Sequence, residues 1–118
     1  MSEQDAGADI EVEPQRVRQW LDEQQPPELI DVREAYEREA GHIAGSRHVP
    51  LLALSEQAAS FDASRPIVFY CRVGGRSEMA AQALRAAGLQ AYSMSGGLLR
   101  WEHEGGPLSP EGGRVADH

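Results

Sequence analysis

At 118 residues the chain has room for one domain and one modest hydrophobic core. A net charge of −8 at pH 7 argues against nucleic acid or an anionic membrane surface as a partner. No run of residues reaches transmembrane length, the acidic start MSEQDAGADIE lacks signal-peptide features, and a lone cysteine excludes an internal disulfide, so a cytoplasmic protein is expected.

The ends are poor in apolar residues. Residues 1–9 and 108–118 are therefore expected to be flexible tails around a folded unit at 10–107. Residues 10–12 give a short first strand. Pro14 then stands at a first-turn position of a helix whose apolar stripe is Val17, Trp20 and Leu21, and Pro26-Pro27 stops it. ELIDV (28–32) reads as a buried strand. REAYERE (33–39) is a charged helical turn with Tyr36 as its buried contact.

GHIAGSRHVP (41–50) has two glycines and a proline, which predicts an ordered loop. Leu51, Leu52, Leu54, Ala58 and Phe61 predict a helix over 51–61. PIVFY (66–70) is the clearest strand, and its unbroken apolarity implies burial on both faces of a parallel sheet. A loop follows over 71–76, then a helix over 77–87 with Met79, Ala80, Ala83, Leu84 and Ala87 as its apolar face. LQAYSM (89–94) is a further strand. Gly96-Gly97 turns the chain into a last helix carrying Leu98, Leu99 and Trp101. Strands alternating with helices at this spacing make an α/β domain with a mainly parallel central sheet, flanked by helices on both faces.

The chemistry concentrates in FYCRVGGRSEMAAQAL. Residues 65–100 hold five arginines and one acid, while the rest of the chain has six arginines against eighteen acids, and there is no lysine anywhere. A lone cysteine is ordinarily a small buried hydrophobe. Cys71, however, follows a buried parallel strand, at the edge where open α/β sheets place their ligands. Gly74 and Gly75 let the next backbone curl and turn its N–H groups inward. A helix N-terminus lies just behind, and Arg72 and Arg76 flank the loop. All of these favour an anion at the sulfur, and thiolate is the nucleophile in sulfur exchange. Arg76 is expected to serve an anionic donor more than the fold. Asp31 is expected to hold a loop arginine, Arg72 being the nearest in role, or else to pair with Arg33 in a purely structural way. His42 reads as a structural hydrogen-bonder and Trp101 as core. The histidines His42, His48, His103 and His118 are scattered, so neither a metal site nor a cofactor is expected.

The loop CRVGGRS resembles the active-site loop of the rhodanese family of sulfurtransferases. ELIDVRE and GHIAGSRHVP precede it, and GGLLRW follows it, in the order that family shows. The resemblance spans residues 10–107 and is to single-domain members. It implies a rhodanese-like α/β fold and a cycle in which Cys71 takes sulfane sulfur from a donor such as thiosulfate. The resulting persulfide is passed to cyanide, a thiol or a protein acceptor. By position, Cys71 matches the sulfur-carrying residue. Arg72, Val73, Gly74, Gly75 and Arg76 match the persulfide cradle, Ser77 begins the helix behind it, and Asp31 and Arg33 match an Asp-x-Arg strand end. Gly41, His42 and Ile43 match a further family signature.

Three rival readings exist on the same fold: a non-catalytic binding or regulatory module, a phosphatase, and an arsenate reductase. Cysteine phosphatases use Cys-x5-Arg, whereas Arg76 stands one residue closer to Cys71. With no second cysteine, any sulfur or arsenic adduct must be resolved by an outside nucleophile. The expected partners are thus a small anionic donor and a thiol, cyanide or protein acceptor, with the chain itself a monomer.

Overall fold

The computed structural model describes residues 10–117. Five strands, β1 Glu11–Val12, β2 Glu28–Asp31, β3 Arg47–His48, β4 Ile67–Tyr70 and β5 Ala91–Met94, form one sheet in the order β1-β5-β4-β2-β3. All four pairings are parallel. The helices are α1 Pro14–Leu21, α2 Ala35–Ala40, α3 Leu54–Gln57, α4 Gly75–Ala86 and α5 Gly97–His103. Among the described residues no helix is long and apolar enough to cross a membrane.

Successive side chains of a strand point to opposite faces, and β4 uses both. Ile67, Phe69 and Cys71 join Ile30, Val32, Leu54, Phe61, Ala80 and Leu84 in the core beneath α3 and α4. Val68 and Tyr70 join Val17, Leu29, Met94, Leu98 and Trp101 beneath α1 and α5. Burial of the whole strand on both faces is what its unbroken apolarity implied, and all four of its residues are fully buried.

Several elements depart from expectation. The loop over 41–50 contains β3, whose Arg47 and His48 pair with Ile30 and Asp31 of β2. An edge strand needs no apolar alternation, so composition hides it. The helix expected over 51–61 is one α-turn, α3, between two 3₁₀ turns, Leu51–Ala53 and Ala58–Ser60. Only Leu54 and Phe61 of its apolar residues are fully buried, while Leu52 stands in solvent, so the core anchors it at widely separated points. In α4 the buried face is Ser77, Ala80, Ala81 and Leu84, rotated from the one expected. Met79 and Ala83 instead line an open apolar groove with Leu51, Leu52, Leu54 and Ala58.

In α2 the expected buried residue, Tyr36, is exposed, and Glu37 is the fully buried one. A reciprocal capping box sets that orientation: Glu34 accepts from the Glu37 amide, and Glu37 accepts from the Glu34 amide at 2.9 Å. At the C-terminus, the described part of the expected tail, residues 108–117, packs against the end of α2 and the loop after it. Ser109 and His42 exchange backbone hydrogen bonds of 2.9 and 2.7 Å, and the Arg114 amide donates to the Ala40 carbonyl at 2.8 Å. Leu108 and Val115 pack on the core and Ala116 is buried. Backbone pairing of this kind leaves no mark on composition. The expected tail over residues 1–9 lies outside the described residues, as does His118.

Candidate functional site

Cys71 lies where β4 ends, at the C-terminal edge of the sheet, and its side chain is 1% exposed. Its Sγ accepts the Gly74 N–H at 3.1 Å, and the thiol donates to Ser77 Oγ at 3.6 Å. The loop closes this tightly because Gly74 holds φ +117°, a conformation that other residues reach only under strain. Gly75 opens α4, so that helix starts two residues earlier than its apolar pattern indicates, and its N-terminal end stands directly behind the sulfur.

The loop is anchored from two more directions. Ser77 Oγ donates to the Gly74 carbonyl at 3.1 Å and lies 2.8 Å from the hydroxyl of buried Ser93 on β5. From α5, the amides of Leu98 and Leu99 donate to the carbonyls of Cys71 and Arg72 at 2.8 and 3.0 Å. Gly97 permits that approach, since a side chain there would collide with both carbonyls. Ser93 was not singled out from the sequence, and Gly97 was read there only as part of a turn into the last helix.

The two loop arginines face different partners. Arg76 donates from both terminal nitrogens to the two carboxylate oxygens of Glu37, at 2.8 and 2.9 Å. This bond to Glu37 is the main reason the Arg76 guanidinium is held above its ordinary pKa; burial opposes it, and the charge of Cys71 is a lesser cause on the raising side. Sequence reasoning missed Glu37, because one glutamate among several in REAYERE carries no mark of burial. Arg72 instead lies 3.7 Å from the exposed carboxylate of Asp117. Val73 is half exposed on the loop.

The expected pairing of Asp31 with Arg72 is not formed. Asp31 lies opposite Tyr70 in the sheet register, so it faces the α1–α5 side, whereas Cys71 faces the other. Its partners are on its own side. Arg33 clasps it with Nε and Nη2, both at 2.8 Å, Arg38 reaches it at 3.3 Å, and the Tyr70 hydroxyl donates to it at 3.3 Å. Arg33 Nη2 also donates to the Gly41 carbonyl at 2.7 Å. Burial pulls the Arg33 pKa down, but the hydrogen bond and charge of Asp31 overcome this and leave it raised. Asp31 and Arg33 thus fasten β2 to the loop beyond α2, beside the site and outside it. His42 donates or accepts locally, with Nδ1 3.1 Å from the Arg38 carbonyl, as its structural reading required. Trp101 is buried and donates to the Pro107 carbonyl at 2.8 Å. No group of His, Cys, Asp and Glu among the described residues has the arrangement of a metal site.

Comparison with known proteins bears on the same residues. The profile of the rhodanese-like domain matches residues 13–104. An uncharacterised protein, YqhL of Bacillus subtilis, is 41% identical over 75 residues, 63% of this chain and 60% of that protein. The thiosulfate sulfurtransferase GlpE of Stutzerimonas stutzeri is 34% identical over 76 residues, 64% of this chain and 70% of its own. Against several other curated relatives the chain covers between 24% and 55% of their length. The crystal structure of a rhodanese-related protein from Thermoplasma volcanium superposes with a TM-score of 0.77 at 26% identity, covering 83% of this chain and 95% of that one. The profile takes in both walls of the cysteine loop, Glu37 on one side and α5 on the other, and the chain belongs to the rhodanese-like domain family.

Proposed function

We propose that the protein is a sulfurtransferase that carries sulfane sulfur on Cys71. The observation that carries this reading is the seat of the sulfur: at a strand end, accepting the Gly74 N–H at 3.1 Å, with the start of α4 behind it. In the first half-reaction the Cys71 thiolate attacks the outer sulfur of an anionic donor such as thiosulfate. The donor's S–S bond breaks and sulfite leaves with the electron pair. In the second, a nucleophile attacks the terminal sulfur of the persulfide. With cyanide, thiocyanate forms and the thiolate is regenerated; with a thiol or protein acceptor, the sulfur leaves as its persulfide.

Several residues of the loop and its surroundings have a part in this cycle. The N–H groups of the loop and the α4 terminus favour negative charge on the sulfur in both its thiolate and persulfide forms. Arg76 adds a nearby positive charge fixed in place by Glu37. Ser77 and the α5 amides hold the loop's shape, so little reorganisation is needed at the moment of attack. With both Arg76 terminal nitrogens engaged by Glu37, and one residue fewer than the phosphatase spacing, the loop favours sulfur over phosphate. The absence of a second cysteine requires an outside acceptor and suits a cytoplasmic protein.

Steady-state thiocyanate production from thiosulfate and cyanide tests the reading. Turnover by the protein and none by Cys71→Ser supports it. No turnover with thiosulfate, organic persulfide or mercaptopyruvate donors would favour a binding module that has kept its cysteine.

A further inference from the structure

Of the loop's two arginines, only Arg72 is not fastened within the core. Its Nε is buried and has no hydrogen-bond partner among the described residues. Its terminal Nη2 is 3.7 Å from Asp117, which is fully exposed. The position of Asp117 is nevertheless set by what precedes it. The Arg114 amide is bonded to Ala40, Gly113 and Gly41 pack backbone to backbone, and Ala116 is buried. The C-terminal run is therefore a strap, pinned at the end of α2, that delivers one carboxylate to the guanidinium of the residue that follows Cys71.

We propose that Asp117 sets the protein's preference among sulfur donors: it occupies Arg72 in the resting state, and an anionic donor binds by taking its place on that guanidinium. Arg76 is committed to a buried carboxylate through two short hydrogen bonds, so an incoming anion does not release it. The Arg72–Asp117 contact is long and solvated, and such pairs are weak. A dianion such as thiosulfate displaces it, whereas a donor without a second negative charge gains less from the exchange. The strap thus lowers the affinity for anionic donors generally and leaves the strongest anions ahead of the rest. This deepens the sulfurtransferase reading and rests on it for the choice of donor.

The test is thiosulfate binding, followed by titration calorimetry in the Cys71→Ser background at fixed ionic strength, where no transfer occurs. Asp117→Asn is expected to bind thiosulfate about two- to fivefold more tightly, the range an exposed ion pair allows. Adding Arg72→Ala should abolish that gain. In the protein with Cys71 intact, Asp117→Asn should lower the thiosulfate KM by the same factor. Equal binding with and without the Asp117 carboxylate overturns the proposal, as does a gain that survives Arg72→Ala, or no thiosulfate binding in any variant. Tighter binding by Asp117→Asn with no persulfide formed on Cys71 would instead contradict the sulfurtransferase reading and leave the strap's role standing.

Discussion

Arg76 and Glu37 form the most consequential side-chain pair at the site, because a fully buried carboxylate is held there by a guanidinium only 19% exposed. Removing one partner of such a pair leaves the other charge without compensation, typically at about 3 to 5 kcal/mol. Arg76→Ala is therefore expected to lose about 3 kcal/mol of stability, measured by urea unfolding, and Glu37→Gln clearly less, since the amide keeps one acceptor. That adds a structural part to the one expected from the sequence, in which Arg76 acts on the donor more than on the fold. The arginine is legible as a motif residue, but its partner is not, because i-to-j pairing across 39 positions has no sequence signature. Gly74 is the opposite case. Its place in the loop suggested a special backbone, and φ is +117°. Gly74→Val should cost about 1 to 2 kcal/mol in backbone strain and, by moving the amide that reaches Cys71 Sγ, slow persulfide formation. Wild-type rates of sulfur uptake from thiosulfate in that variant would contradict the assignment.

At the scale of elements, the C-terminal strap depends on a close backbone approach at Gly41. Gly41 has extended backbone that any residue adopts, yet a Cβ there would strike the backbone of Arg114. Gly41→Ala should therefore lift the strap from α2 while the sheet stays folded. Trypsin reads this directly, because the bond after Arg114 is a cleavage site, and cleavage there should accelerate severalfold in the variant. An unchanged cleavage rate would mean that the strap is held elsewhere. The elements of the core were legible where burial imposes a pattern: PIVFY as β4, ELIDV as β2, and Val17 and Trp20 on α1. They were not legible where backbone pairing or a polar tie decides. Arg47 and His48 form an edge strand with no apolar residue, Tyr36 yields the buried position of α2 to Glu37, and α4 begins at Gly75 because the loop, not its apolar face, sets its start.

For the whole molecule, stability at alkaline pH is governed in part by Tyr70, whose hydroxyl is buried against Asp31, Ile43 and Ser46. Burial pushes its pKa up to about 12, with the charge of Asp31 as the second cause, and hydrogen bonds from the Ile43 amide and Ser46 work against the rise. An unfolded tyrosine titrates near 10. Below about pH 10 both states hold the proton and the contribution is whole. Between about 10 and 12 only the folded state holds it, so stability falls by ~1.4 kcal/mol per pH unit, to a total of about 2 to 3 kcal/mol. Tyr70→Phe should accordingly lose less stability than the parent protein between about pH 9 and about pH 11, though it starts lower by about 1 kcal/mol for the lost hydrogen bonds. Equal losses in the two proteins would remove Tyr70 as the cause. The global architecture was legible as an α/β domain with a mainly parallel sheet because strand and helix signals alternate, whereas the strand order β1-β5-β4-β2-β3 was not. The cysteine loop was legible as far as its linear motif runs, from Cys71 to Ser77. The residues that contact it, Glu37, Ser93, Gly97 and Asp117, come from four other segments and meet only in the fold.

That Cys71 carries the transferred sulfur is tested most directly by intact-mass measurement after incubation of reduced protein with thiosulfate. A gain of one sulfur atom that cyanide removes with release of thiocyanate is expected, with no gain in Cys71→Ser. An unchanged mass for the wild-type protein with thiosulfate and with persulfide donors, or an identical gain in the serine variant, would contradict it.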